Sequence, residues 1–301
     1  MAYREIRGAA AVRGVRGAPG GTGVTLLELL AALLVSAVVL AGAYRVLLTA
    51  RRFVMVQSAT LEVHQSIRAA SQVLTAELRE LDPGGGDIVA LGPDSISIRA
   101  MRGLAVTCAP ATSSSGSVVV RDRLSFGYRA VDPGRDRALI LMPSGGSGGD
   151  TWLDLGISSV SPGAACDDGA NGTRLALVGG GGQVAAVAAG SPVRTYERLV
   201  YRLYADESDT WWLGVRGWTG GSWAAISPIA GPLRRGTGLA FSYLDSLGAA
   251  TTNPAQVARM AFTLRAVSSA VVATGAGSPT RYADSLSGIV VPRNGRRRIA
   301  P

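Results

Sequence analysis

Hydrophobic and polar positions change their rhythm twice along this chain. Val24–Tyr44 reads VTLLELLAALLVSAVVLAGAY, an almost unbroken apolar run whose one carboxylate is Glu28. A helix of about 20 apolar residues crosses the ~30 Å hydrocarbon layer of a bilayer, so the run predicts a membrane span. From Val56 the rhythm becomes helical: Val56, Thr60, Val63, Ile67, Ala70, Leu74, Leu78 and Leu81 recur at spacings of three and four, with Gln57, Glu62, Gln65, Arg68, Gln72 and Arg79 off that line. This is one apolar stripe on an amphipathic helix. No proline interrupts Val24–Leu81 and Gly42 is the only glycine, so the two patterns predict one continuous helix, ended by Asp82-Pro83-Gly84-Gly85-Gly86.

After Asp82 the pattern alternates with period two. Ser95–Ala100, Arg123–Val131, Leu199–Tyr204, Leu239–Leu244 and Val257–Val267 read as strands with one wet face. In the last of these, Ala258, Met260, Phe262 and Leu264 fall on one side and Arg259, Thr263 and Arg265 on the other. Asp206–Thr210, between Leu199–Tyr204 and Trp211–Arg216, reads as a hairpin turn. Stretches rich in Gly and Ser at Ser113–Ser117, Ser144–Gly149, Gly179–Gly182 and Thr274–Ser278 read as linkers. The expected fold is α+β: a long N-terminal helix packed through its stripe on a mostly antiparallel sheet. The boundaries are a leader at 1–23, a helix at 24–81 with its span at 24–44, and a β-rich head at 82–301.

Charge changes this picture little. The formal net charge is +9, but four Arg and one Glu in the leader contribute +3, and Arg293, Arg296, Arg297 and Arg298 contribute +4. The body is left near neutral, which implies no large basic face and argues against nucleic acid as a partner. Every basic residue is Arg. Cys108 and Cys166 lie well beyond the span, where an even cysteine count implies one disulfide in an extracytoplasmic domain, the alternative being two buried free thiols.

Candidate chemistry is sparse. The only histidine, His64, sits on the helical stretch beside Gln65 with no Ser, Cys or Asp motif around it, so no catalytic dyad and no enzymatic activity are expected. Gly179–Gly182 lacks the Lys-Ser/Thr of a phosphate loop. Asp167-Asp168-Gly169-Ala170-Asn171-Gly172 offers oxygens to Ca²⁺ but not the spaced ligands of an EF-hand, and reads as a turn. No cofactor or metal is expected. Asn171-Gly172-Thr173 is a glycosylation sequon, which at most marks an exposed loop. Trp211, Trp212, Trp218 and Trp223 cluster and are expected to form the core of a hairpin; exposed, they would stack on sugars, bases or a partner. Ala41-Gly42-Ala43 imitates a signal-peptidase site, but its apolar run is longer than the usual 7–15-residue core of about that many positions in a signal peptide.

Gly23 before Val24, then Thr25-Leu26-Leu27-Glu28-Leu29-Leu30, completes a pattern. A cationic leader ending in Gly, an apolar helix with Glu as its fifth residue, and an amphipathic extension into a β-rich domain resemble the type IV pilin-like family. Only Gly23 sets Glu28 at that spacing; Gly20 and Gly21 miss it. Later segments are similar to the J-component pseudopilins of type II secretion and the W-class minor pilins: Leu199–Tyr204, Trp211–Arg216, Gly238–Asp245 and Ile289–Asn294. Three positions depart from the pattern. Val24 stands where Phe is common, Thr22 where a basic residue is frequent, and the leader is long.

The resemblance implies cleavage after Gly23 by a prepilin peptidase, N-methylation of Val24, and co-assembly with other pilins or pseudopilins on an assembly platform. It also implies a precursor that crosses the inner membrane once, N-terminus inside and head outside, before entering a pilus or pseudopilus. Glu28 then acquires a role. A lone carboxylate in lipid costs at least ~2.5 kcal/mol, and the new α-amino cation of a neighbouring subunit would neutralise it.

Overall fold

The computed structural model describes residues 25–111, 116–142, 151–273 and 278–294. Gly23, Val24, the rest of the leader and Arg296–Arg298 lie outside the described residues, as do most of the linkers expected at Ser113–Ser117, Ser144–Gly149 and Thr274–Ser278. One helix, α1 (Leu26–Arg79), is followed by a large antiparallel sheet, an α+β architecture. The chain divides into two compact units, one ending at Phe53 and one beginning at Val54, and each is described by itself.

In the first unit every described residue is exposed. The helix begins at Thr25, whose Oγ1 accepts the Glu28 N–H at 3.3 Å while its carbonyl accepts the same N–H at 3.1 Å. That side-chain contact satisfies one of the donors a helix start leaves open. From Leu26 to Tyr44 the side chains are apolar except for Glu28 and Ser36, and Arg45, Thr49, Arg51 and Arg52 follow before Phe53. The segment is long and apolar enough to cross a membrane.

In the second unit the rest of α1 packs on the sheet through Ala59, Val63, Ile67, Ala70, Leu74 and Leu78. The stripe is the expected one from Val63 onward. Before it, Ala59 is buried and Val56 and Thr60 only partly so. The helix ends at Arg79, and Leu81, buried, lies just past it. Its last carbonyls are taken by the far end of the chain: Arg293 N–H donates to the Arg79 carbonyl at 2.8 Å and the Asn294 side-chain amide to the Glu80 carbonyl at 3.1 Å.

The strands are β1 (Ile88–Leu91), β2 (Ser95–Val106), β3 (Ser117–Arg121), β4 (Phe126–Gly127), β5 (Asp136–Met142), β6 (Thr151–Ala165), β7 (Asn171–Leu177), β8 (Pro192–Ala205), β9 (Trp211–Thr219), β10 (Ser222–Trp223), β11 (Ser227–Leu233), β12 (Leu239–Leu244), β13 (Arg259–Val272) and β14 (Thr280–Val290). The main path runs β12-β13-β11-β9-β8-β5-β6-β7-β3, with β2 along β8 and β14 along β13. Strand β8 is central: β2 covers one flank, while the other is shared by β5, opposite Val193–Glu197, and β9, opposite Leu199–Ala205.

Two cores result. The larger joins the helix stripe to Ile96, Ile98, Tyr201, Leu213, Phe262 and their neighbours. A smaller one lies along β5, β6, β7 and β3 around Val118, Ile140, Ile157 and Leu175. Beside it, Cys108 and Cys166 form a disulfide spanning a sequence separation of 58. Closing a loop of that length contributes ~4 kcal/mol in the chain-entropy description.

The alternation expected at Val257–Val267 is present: Met260, Phe262, Leu264 and Ala266 are buried and Arg259 is exposed, with Ala258 half-buried ahead of the strand. Arg123–Val131 differs. Asp122–Leu124 makes a 3-10 turn, only Phe126 and Gly127 pair, and most side chains there are exposed. Alternation by itself does not make a strand where no sheet face lies beneath it.

Candidate functional site

The sequence places the candidate assembly residues in the first turn of α1. Glu28 is exposed there, at the third helical position after the capping Thr25. Thr-x-x-Glu at these positions is the arrangement of a capping box, a local role for Glu28 that spacing from Gly23 does not suggest. A carboxylate in the first turn also suits the positive end of the helix dipole, by a few tenths to ~1 kcal/mol.

Around the packed half of the helix, ion pairs join helix to sheet and strand to strand. Arg102 bridges Glu77 on α1 (3.2 Å) and Glu197 on β8 (3.2 Å), and Arg129 joins Glu197 to the buried Asp136. The guanidinium of Arg129 is pushed up, first by its hydrogen bond to Asp136. Asp87, fully buried after the glycine turn, accepts the Asp82 N–H at 2.9 Å and an Arg194 guanidinium at 3.4 Å. Burial nonetheless raises its carboxyl pKa.

His64 accepts or donates a 3.0 Å hydrogen bond with Asp284 on β14 and meets the Tyr282 ring edge-on, so it fastens helix to sheet. Glu62 does the same through the Ser269 N–H and hydroxyl. In the acidic turn, Asp168 is occupied by Arg121 at 2.6 Å and by the Ala170 N–H, and its carboxyl is held below the ordinary range by Arg121 first. Asn171 is exposed at the start of β7. Gly179–Gly182 leads into a short 3-10 turn, Gly182–Ala186. Among the described residues no group of three or more His, Cys, Asp or Glu is placed to hold a metal.

The hairpin turn is where the pattern put it. The Asp206 carboxylate collects the Ser208 hydroxyl and N–H, the Thr210 N–H and the Trp212 indole N–H, at 2.7, 2.9, 3.0 and 2.9 Å. These donors, the Ser208 hydroxyl foremost, pull its pKa from 3.8 to about 2. The tryptophans, however, do not form a hairpin core. Trp211 packs against the larger core from its edge, and all four are half-buried. Trp218 and Trp223 meet edge-to-face at 5.2 Å, each with a guanidinium over its ring, Arg198 at 5.3 Å and Arg216 at 5.1 Å.

Those guanidiniums belong to a local basic face that the near-neutral count concealed. On β8, Arg198 and Arg202 alternate with the buried Leu199, Tyr201 and Leu203. Arg99 on β2 lies directly opposite Arg198, and Arg216 on β9 opposite Val200. Comparison with protein-family models, characterised proteins and solved structures returned no match.

Proposed function

We propose that the chain is a minor pilin or pseudopilin, a structural subunit of a type IV pilus or type II secretion pseudopilus. In this reading a prepilin peptidase cuts between Gly23 and Val24 and methylates Val24, and the helix then carries the subunit from the membrane into a filament. It performs no catalysis. One observation carries the reading: a single helix is apolar on nearly all sides from Leu26 to Tyr44, with one carboxylate in its first turn, and one-striped from Val63 to Leu78 on an antiparallel sheet. The first segment suits lipid and then other helices; the second is committed to its own sheet.

Mass analysis of the mature N-terminus is the decisive experiment. Methylated Val24 is the expected result, and Tyr44 would reject it. For Glu28→Ala the expectation is that cleavage persists while incorporation into filaments falls. Glu28→Gln separates the two roles of this residue, since it can still serve the helix cap but offers no charge to a neighbour's amine. Normal incorporation of Glu28→Gln would reduce Glu28 to a capping residue.

A second reading is a signal-anchored extracytoplasmic β-domain that binds a ligand or surface component. It is favoured by the fourteen-stranded sheet, larger than the head of a typical pilin. Under that reading the mature chain carries no methylated Val24 and does not enter filaments.

A further inference from the structure

Where β9 and β5 part from their shared neighbour β8, a cleft of about 520 Å³ opens, lined by Arg135, Arg137, Gly156, Val178 and Trp218, with Asp136, whose carboxylate Arg129 holds at 2.7 Å, in its wall. Its size is that of a small-ligand site. Trp218 belongs both to the cleft and to the arginine face, because Arg198 lies over its ring. Beyond it the face continues across three strands through Arg99, Arg198, Arg202 and Arg216.

The charges on this face are not balanced. Asp154 is shared by Arg99 at 3.3 Å and Arg137 at 2.9 Å. Among the described residues Arg198, Arg202 and Arg216 form no ion pair, and the Nε of Arg216 is buried without a hydrogen-bond partner. Arg99 and Arg198 are directly opposed across β2 and β8, an arrangement that destabilises a sheet. Asp154 neutralises Arg99, but Arg198, Arg202 and Arg216 have no carboxylate of their own among the described residues and present a complement to negative charge.

From this we infer that the cleft and the arginine face together bind an acidic glycan, a chain of uronic acid units. The guanidinium fork matches a sugar carboxylate, and Val178, Gly156 and the rim of Trp218 supply apolar contact for sugar C–H groups. Single-stranded nucleic acid is disfavoured because it needs bare aromatic faces for its bases, and here guanidiniums cover Trp218 and Trp223.

The test is titration of the full-length chain, held in zwitterionic nanodiscs, with a short oligogalacturonate, read by tryptophan fluorescence and calorimetry. Saturable binding that weakens with salt is expected, with no binding of a neutral glucan of equal length. Arg198→Gln with Arg216→Gln should lower affinity about tenfold or more, since each removes charge-assisted hydrogen bonds, with the thermal midpoint as the folding control. Arg202→Gln, at an exposed side chain, gives a second variant that leaves the packing intact and should also bind more weakly. No binding of the oligogalacturonate, or unchanged affinity in both variants, overturns the site. Tighter binding of an oligothymidylate or a polyglutamate overturns the choice of glycan.

Discussion

The two halves of α1 are equally continuous in backbone and opposite in what their side chains do. Leu26–Phe53 is the more apolar half and buries nothing among its described residues; the half from Val54 onward holds fewer apolar residues and buries a stripe of them. Arrangement, not quantity, decides which one joins a core. A helix apolar all round has no single face to give to a sheet, whereas Val63, Ile67, Ala70, Leu74 and Leu78 fall on one line.

The largest blow to the packed half should come from Arg102→Ala, which strips Glu77 of its cation and leaves Glu197 with Arg129 alone at close range. A loss of about 3–5 kcal/mol is expected in chemical denaturation. Next, Leu74→Ala opens a cavity under the fully buried stripe and should lose about 2–5 kcal/mol, while Leu34→Ala, at an exposed position, should leave the head's unfolding midpoint unchanged. Equal losses from the two leucine variants would erase the distinction between the halves. In the exposed half, Thr25→Ala removes the cap and should destabilise the first turn by about 1 kcal/mol, seen as faster amide exchange at Glu28 in micelles.

The smallest effect lies in the turn between β8 and β9. A carboxyl held below its ordinary 3.8 stabilises the folded form above that value and loses this contribution as pH falls toward about 2. Amide exchange at Ser208 and Thr210 should therefore quicken across that window, and Asp206→Asn should flatten the response.

Much of this was legible in the chain. The helix stripe and the alternation around Phe262 are set by local geometry, and the turn at Asp206 by side-chain hydrogen bonding to nearby backbone. With two cysteines, the disulfide had one possible intramolecular pairing. Arg123–Val131 was misread because alternation does not say whether a sheet lies underneath. The arginine face was hidden for a different reason. Net charge ignores register, and nothing in the linear order announces that Arg99 sits opposite Arg198 or that Arg216 falls between Arg198 and Arg202 across the strand pair. The tryptophans were misplaced for the same reason, since their neighbours come from another strand.

The contacts at the end of α1 set an order of events. The Glu80 carbonyl waits for Asn294, 214 positions later, and the Arg79 carbonyl for Arg293 beside it. A chain made from its N-terminus therefore has the helix early but its final seal last. Until Arg293 and Asn294 are made, these two carbonyls lack their partners, although β14 already meets the helix through Asp284 and His64. A truncation just before Arg293 would thus be felt 214 positions away, at the end of α1, while the buried core residues stay in the chain.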